Sequence, residues 1–347
     1  MASQDKKKKN PILLFAAAIA GIMVLMFIAN YRSALEYELR SPETGVKKFS
    51  TYGNQLIAIS PSNDIYIFDW NALAMGPKTG SVNAQKVAAM SDDRLLWIPQ
   101  WTNNTLTISN LKGDKELGQL SLDLDKKCKL LQASQNGKYA VMALAVEGPG
   151  NQIQLAAISP ELTSINAVET ITLDEGFKLN DIGISNDGTT IAAVGGNNKG
   201  YLLVAGTNNS QIRWEKYMED CNELNKVVIS PDGQTVYASE PGRRVYVFDI
   251  STEKILKRLE IDKYKTPENN PQTITCITLS NDGRLLAAVS SPISKVWIWD
   301  AKTGEKVAIM KTGQFATSSI AFSPDSSLLA AADYTLNPIN VWRISDK

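Results

Sequence analysis

From about Leu35 onward, apolar residues alternate with polar ones or gather in short blocks, and turn residues separate the blocks. No stretch of this span has the three-to-four-residue spacing of a long amphipathic helix. What recurs is one strand, a tight turn built on Ser with Asn, Asp or Gly, then two more strands. The clearest copies are "VVISPDGQTVYASEPGRRVYVFDISTEKILKRLE" (Val227 to Glu260) and "CITLSNDGRLLAAVSSPISKVWIWDAKTGEKVAIMKTG" (Cys276 to Gly313). "IAFSPDSSLLAAADYTLNPINVWRI" (Ile320 to Ile344) follows the same plan. The Asp and Gly of each turn suit the dihedrals that a tight connection demands.

The turn serine serves as a ruler for the weaker copies. It falls at Ser50, Ser91, Ser134, Ser185, Ser230, Ser280 and Ser323, at intervals of 41, 43, 51, 45, 50 and 43 residues. The third strand of a unit ends at Phe68-Asp69, Phe248-Asp249, Trp299-Asp300 or Trp342-Arg343. Seven units of this length, each with room for four strands, predict an all-β chain folded as a seven-bladed β-propeller. On these residues the chain resembles the WD-repeat and related YVTN-like propeller families over about Leu35 to Lys347, strongly in the last three units and weakly in units two to four. It departs from them in lacking the Gly-His dipeptide of typical WD repeats, since the chain has no histidine. That places the usual Asp-His hydrogen-bond network in doubt but not the blade geometry. The turns are not the Asp-boxes of sialidase propellers, which need a further residue between Asp and Gly and a Trp after it.

Upstream lies a different pattern. Ile12 to Ala29 is 18 residues without a charge, preceded by Lys6, Lys7, Lys8 and Lys9. As a helix it would span roughly 27 Å, close to the hydrocarbon core of a bilayer. A signal peptide cleaved after export competes with this reading, but its apolar region is usually shorter, and no good cleavage site follows the block. The expected organisation is a Lys-rich cytoplasmic tail over 1–10, a transmembrane anchor helix over 11–30 and the propeller over 34–347. The lysines before the block orient it with the N-terminus in the cytoplasm and the propeller outside it, in the periplasm if the source is bacterial.

The last unit stops just after its third strand, which would leave a long unpaired edge. In the families resembled, the N-terminal stretch fills this place. "ALEYELR" suits it, with Leu35, Tyr37 and Leu39 on one face and Glu36, Glu38 and Arg40 on the other. The stretch 34–40 is therefore expected to be the closing outer strand of the last blade. The competing reading continues the membrane helix through Leu39; Pro42 stops either element.

Composition narrows the chemistry. Lys plus Arg equals Asp plus Glu at 36 each, so a strongly basic nucleic-acid binder is not indicated. The absence of histidine removes Ser-His-Asp and Cys-His nucleophile systems and histidine-ligated metals. The three cysteines, Cys128, Cys221 and Cys276, cannot all pair; Cys128 and Cys276 sit in apolar runs and are expected to be small core residues, with one disulfide as the alternative. "GGNNKG" (Gly195 to Gly200) lacks the spacing of a phosphate loop. Asp181, Asp187 and Asp220 could pair in space, but their spacing does not say so. "NNT" at Asn103 and "NNS" at Asn208 match the N-glycosylation pattern, as chance matches in a chain of this length also do.

What remains is recognition by loops. Trp101, Arg243, Arg244, Tyr264 and Tyr334 are the loop residues most like interface anchors, because aromatics and arginine dominate binding hot spots. The main expectation is a membrane-anchored propeller acting as a protein-binding scaffold or assembly subunit, without cofactor, metal or catalytic residues. Its partners are the membrane and unnamed proteins, not nucleic acid. The rivals are a propeller enzyme, lactonase-like or quinoprotein-like, working through carboxylates or bound calcium, and a cleaved, secreted propeller.

Overall fold

A computed structural model describes residues 35–39, 46, 48–52, 55–90, 93–100, 104–147, 151–264, 271–293, 295–312, 317–333 and 339–344. The Lys-rich tail and the apolar block therefore lie outside the described residues. Among those described, no helix is long and apolar enough to cross a membrane.

The first strand, β1, is Leu35–Leu39. Blade one follows as β2 (Lys48–Tyr52), β3 (Gln55–Ile59), β4 (Asp64–Asp69) and β5 (Ala74–Ser81). Blade two is β6 (Ala84–Ala89), β7 (Arg94–Pro99), β8 (Thr105–Asn110) and β9 (Glu116–Ser121). Blade three is β10 (Lys126–Ala133), β11 (Ala140–Val146), β12 (Asn151–Ile158) and β13 (Ile165–Leu173). Blade four is β14 (Lys178–Ile184), β15 (Thr190–Gly196), β16 (Gly200–Gly206) and β17 (Gln211–Met218). Blade five is β18 (Lys226–Ile229), β19 (Thr235–Ser239), β20 (Arg244–Asp249) and β21 (Ile255–Glu260). Blade six is β22 (Thr273–Leu279), β23 (Leu285–Ser291), β24 (Lys295–Asp300) and β25 (Lys306–Lys311). Blade seven is β26 (Thr317–Phe322), β27 (Leu328–Asp333) and β28 (Ile339–Arg343), with β1 as its outer strand.

Each blade is an antiparallel meander, and each innermost strand lies against the next, from β2 through β26 and back to β2. This closes the ring. Apolar residues from the facing sides of adjacent sheets form a separate core cluster at every blade junction among the described residues. The aromatic residue that ends a third strand is the largest contribution to several of these: Phe68, Phe248, Trp299 and Trp342 are all at most 2% exposed. The acidic residue that follows does different work. Asp69, Asp249 and Asp300 turn their carboxylates onto the next backbone N–H groups, with Asp249 Oδ1 accepting from Thr252 N at 2.7 Å.

β1 pairs antiparallel with β28, Leu35 opposite Trp342 and Leu39 opposite Ile339. Both ends of the described chain thus build one blade, and the N-terminal strand covers what would be an open edge.

The serine turns repeat one bonding scheme. Ser134, Ser185, Ser230, Ser280 and Ser323 each accept on Oγ the N–H five residues on, at 2.9–3.0 Å. The hydroxyl in turn faces the Asn or Asp two residues on. The first unit departs from the ruler: Ser50 lies within β2, not in a turn. A turn of the same kind sits instead at Ser60, between β3 and β4, where Ser60 Oγ accepts from Asp64 N at 2.9 Å. In the second unit Met90 takes the serine's place, its N–H reaching Arg94 O at 2.9 Å, and Ser91 lies outside the described residues.

All three cysteines are free, which removes the disulfide alternative. Cys128 and Cys221 are buried in blade junctions; Cys276 is half-buried and packs against the core cluster between blades six and seven, at the wall of the central cavity. A bulge between Ile274 and Cys276 shifts the alternation of β22 at this point.

Candidate functional site

Two places on the ring concentrate chemistry: one face of loops and the central cavity. Where they lie among the described residues, the loops between second and third strands share a face with the connections to the next blade. Blade five shows this directly, since Ile274 N bonds Gly242 O at 3.2 Å and Ile261 N bonds Arg243 O at 2.9 Å.

Arg243 and Arg244 are adjacent but differ in role. Arg243 donates to Ile261 O at 3.2 Å, and its side chain stays 37% exposed. Arg244 turns inward. Its Nε donates to Glu240 Oε1 at 2.9 Å and its Nη2 to Asp220 O at 2.9 Å, while the guanidinium lies 5.6 Å from the Tyr246 ring centroid. Arg258 flanks the same ring at 5.8 Å. Burial, with the charges of Glu240 and Asp220, pushes the Tyr246 hydroxyl far above its ordinary range, so it stays protonated and its one proton is shared between Glu240 Oε2 at 3.3 Å and Asp220 Oδ2 at 3.4 Å. The group fixes blade five to the Asp220 loop.

Tyr264 is likewise held within the blade. Its ring packs at 6.2 Å from that of fully buried Trp297, and Lys295 Nζ lies 3.4 Å from its centroid on the other contact. Its N–H donates to Gln272 Oε1 at 2.9 Å. The structure therefore brings Arg243, Arg244 and Tyr264 to one face but leaves chiefly Arg243 turned to solvent. Trp101, Tyr334 and the lysines Lys6, Lys7, Lys8 and Lys9 lie outside the described residues.

One residue of this face was not picked out by pattern. Leu124, in the connection between β9 and β10, is 85% exposed, the most of any large apolar residue described. The local signal is a leucine between Asp123 and Asp125, next to Leu122, which is buried. Its connection is tied down by the N–H of Glu147, which donates to Asp125 O at 2.6 Å.

The carboxylates do not converge. Asp187 is bound into its serine turn, Asp220 faces Arg244 and Arg258, and Asp181 lies in the central cavity. Among the described residues no group of three or more Cys, Asp or Glu is placed to hold a metal ion. Burial pushes the Asp181 carboxyl above its usual range, opposed by nearby Lys226. Its Oδ2 accepts Val227 N at 3.2 Å and its Oδ1 accepts Gln132 Nε2 at 3.3 Å.

No family model matches the sequence. The chain is similar to the periodic tryptophan protein 2 homolog of Dictyostelium discoideum, with 22% identity over 215 residues, covering 48% of this chain and 23% of that protein. The match thus spans under a quarter of that relative's length. Among solved structures, the β-propeller domain of Cps50 (Swd1) from Myceliophteria thermophila superposes with a TM-score of 0.65 at 15% identity, over 90% of this chain and 99% of that one. The closed ring, the repeated turns and these likenesses together identify the fold as a WD-repeat-like seven-bladed β-propeller.

Proposed function

We propose that the chain is a membrane-anchored scaffold whose propeller, outside the cytoplasm, binds a protein partner through the loops between second and third strands. The observation that carries this reading is the direction of β1. Because Leu35 pairs with Trp342 and Leu39 with Ile339, Leu35 sits at the end of blade seven that bears the serine turns. Four residues separate Leu35 from Asn30, at the end of the apolar block. An anchor over 11–30 would hold the serine-turn face toward the bilayer and leave Arg243 and Leu124 on the far face, open to a partner. The block itself is long enough to span, and Lys6 to Lys9 orient it with the tail inside. A rigid ring presenting variable loops is the usual division of labour in such a fold.

Photo-crosslinking in intact membranes tests this. A crosslinker placed at Arg243 or Leu124 is expected to capture a discrete partner, and one at Gln234, in a serine turn, is not. Capture from Gln234 alone would reverse the assignment of faces.

A further inference from the structure

A second cavity, of about 570 Å³, opens at the rim of blade four on the face that carries Arg243. That is room enough for a large side chain or a small ligand. It is lined by Asp174 and Phe177 from the connection between β13 and β14, by Asn197 and Lys199 from the loop between β15 and β16, and by Tyr217 and Glu219 at the end of β17. Its walls are tied together. Asn197 Nδ2 donates to Glu175 O at 2.9 Å, and Lys199 Nζ to Glu219 Oε1 at 2.7 Å. The residue after Glu219 is Asp220, whose backbone carbonyl Arg244 holds.

Three rings stand in series at this cavity. The Tyr217 ring lies 5.0 Å from that of Tyr201, its partner across the strand pair, and Tyr201 meets Phe177 edge-on at 5.2 Å. The inner two are buried and Tyr217 is 49% exposed, so a backed aromatic face meets solvent. Such a ring loses little further freedom when a ligand lands on it. The lining also carries charge. Lys199 and Glu219 satisfy each other, which leaves Asp174. Its backbone carbonyl accepts from Phe177 N at 3.1 Å and Asn151 Nδ2 at 3.4 Å, while its carboxylate has no hydrogen bond or ion pair with another described residue. Glu215, on the same strand face as Tyr217, adds a second carboxylate beside the rings and accepts from the Tyr201 hydroxyl at 2.8 Å. A carboxylate beside a half-exposed aromatic face is complementary to a flat, weakly hydrated cation. A guanidinium stacks on the ring and pairs with the carboxylate through two parallel N–H groups; an ammonium cannot do both as well.

We propose that this cavity seats an arginine side chain from a basic segment of the protein partner, its guanidinium lying on Tyr217 and paired with Asp174. This rests on the loop face being the partner's and supplies the chemistry of that partner. Titration calorimetry of the detergent-solubilised full chain with a Gly-Arg-Gly-Arg-Gly peptide at fixed ionic strength, beside its lysine and citrulline versions, provides the test. The arginine peptide should bind saturably, with a dissociation constant near or below about 1 mM. The lysine version should bind at least about threefold more weakly, and the neutral citrulline version should not bind. Tyr217→Ala should weaken binding at least about fivefold, and Tyr217→Phe should retain most of it, since the ring and not the hydroxyl makes the contact. Asp174→Asn should also cost at least about fivefold. Glu161→Gln, at an exposed carboxylate between β12 and β13 on the opposite face, should change nothing. The proposal is overturned if the arginine peptide does not bind saturably, if the citrulline version binds equally, or if folded Tyr217→Ala binds as tightly as wild type. Equal losses in Asp174→Asn and Glu161→Gln would overturn it too, since they would mean diffuse charge and no site. So would self-association that Tyr217→Ala abolishes while no peptide binds, which would give the cavity to a second copy. Capture from Arg243 without peptide binding would remove this cavity and keep the partner face. Peptide binding with capture from Gln234 alone would keep the cavity's arginine preference and reverse the faces.

Discussion

Ser326→Gly should stabilise the propeller. In blades three to six the fourth residue of each serine turn is Gly137, Gly188, Gly233 or Gly283, at φ 69°, 74°, 68° and 73°. Blade seven places Ser326 there at φ 62°. A side chain in this left-handed region costs about 1 kcal/mol. The Ser326 hydroxyl is also buried without a hydrogen-bond partner among the described residues, a desolvation cost of about 1 kcal/mol or more. Against these stands the greater freedom of glycine in the unfolded chain, about 0.5–1 kcal/mol. The bonds that hold the turn are untouched: Ser323 Oγ still accepts Leu328 N at 2.9 Å and Asp325 Oδ1 still accepts Ser327 N at 3.0 Å. The net is a gain of about 1–2 kcal/mol, or about 2–4 °C in Tm for a domain of this size. Denaturant midpoints and thermal melts of the purified variant measure it, with Ser326→Ala as separator. Alanine removes the stranded hydroxyl and avoids glycine's entropy cost but keeps the strained Cβ, so it should gain about 1 kcal/mol, which isolates the hydroxyl's contribution. A glycine variant melting at or below wild type would refute the reasoning; an alanine variant no more stable than wild type would refute its hydroxyl component.

Other consequences follow from the same contacts. Removing residues 1–40 uncovers the outer edge of β28 and should cost roughly 2–4 kcal/mol in backbone pairing relative to a chain starting at Ala34, with faster aggregation on light scattering. Arg244→Met strands the nearly buried Glu240 carboxylate and should cost about 2 kcal/mol in urea unfolding, whereas Arg243→Met should cost under about 0.5 kcal/mol. Hydrogen bonds from Ser323 hold Asp325 below the usual carboxylate range, those from Ser251 do so for Asp249, and the Thr303 N–H for Asp300. A lowered folded pKa gives stability that is present above the unfolded value of about 4 and lost as pH falls through the folded one. Melting temperature should therefore decline below about pH 4, and Asp325→Asn should flatten that decline.

The ring was legible because its determinants are local. In blades three to six a serine, an Asn or Asp two residues on and a glycine one further fix the inner hairpin, and in blades one, five, six and seven an aromatic followed by a polar residue marks the end of the third strand. The first unit misled because Ser60 makes the same kind of bonds with a left-handed Asn63 at φ 64° in place of glycine; pattern alone cannot tell which hairpin such a turn closes. The site was less legible. Adjacent arginines look alike in sequence, yet Arg244 is consumed by Glu240 and Asp220 from separate loops, and only three-dimensional placement shows it. Asp174, Lys199 and Tyr217 line one cavity although they stand 18 or more residues apart. They come from a blade connection, a hairpin loop and an outer strand, a convergence that no linear spacing encodes.

The proposed function requires that the propeller be held at the membrane by its own N-terminal segment. Membranes containing the full chain, washed at alkaline pH and followed by N-terminal sequencing of the retained protein, test this directly. The account predicts that the chain stays with the membrane and begins upstream of Ile12. Release into the wash, or a mature N-terminus beyond Asn30, would contradict it.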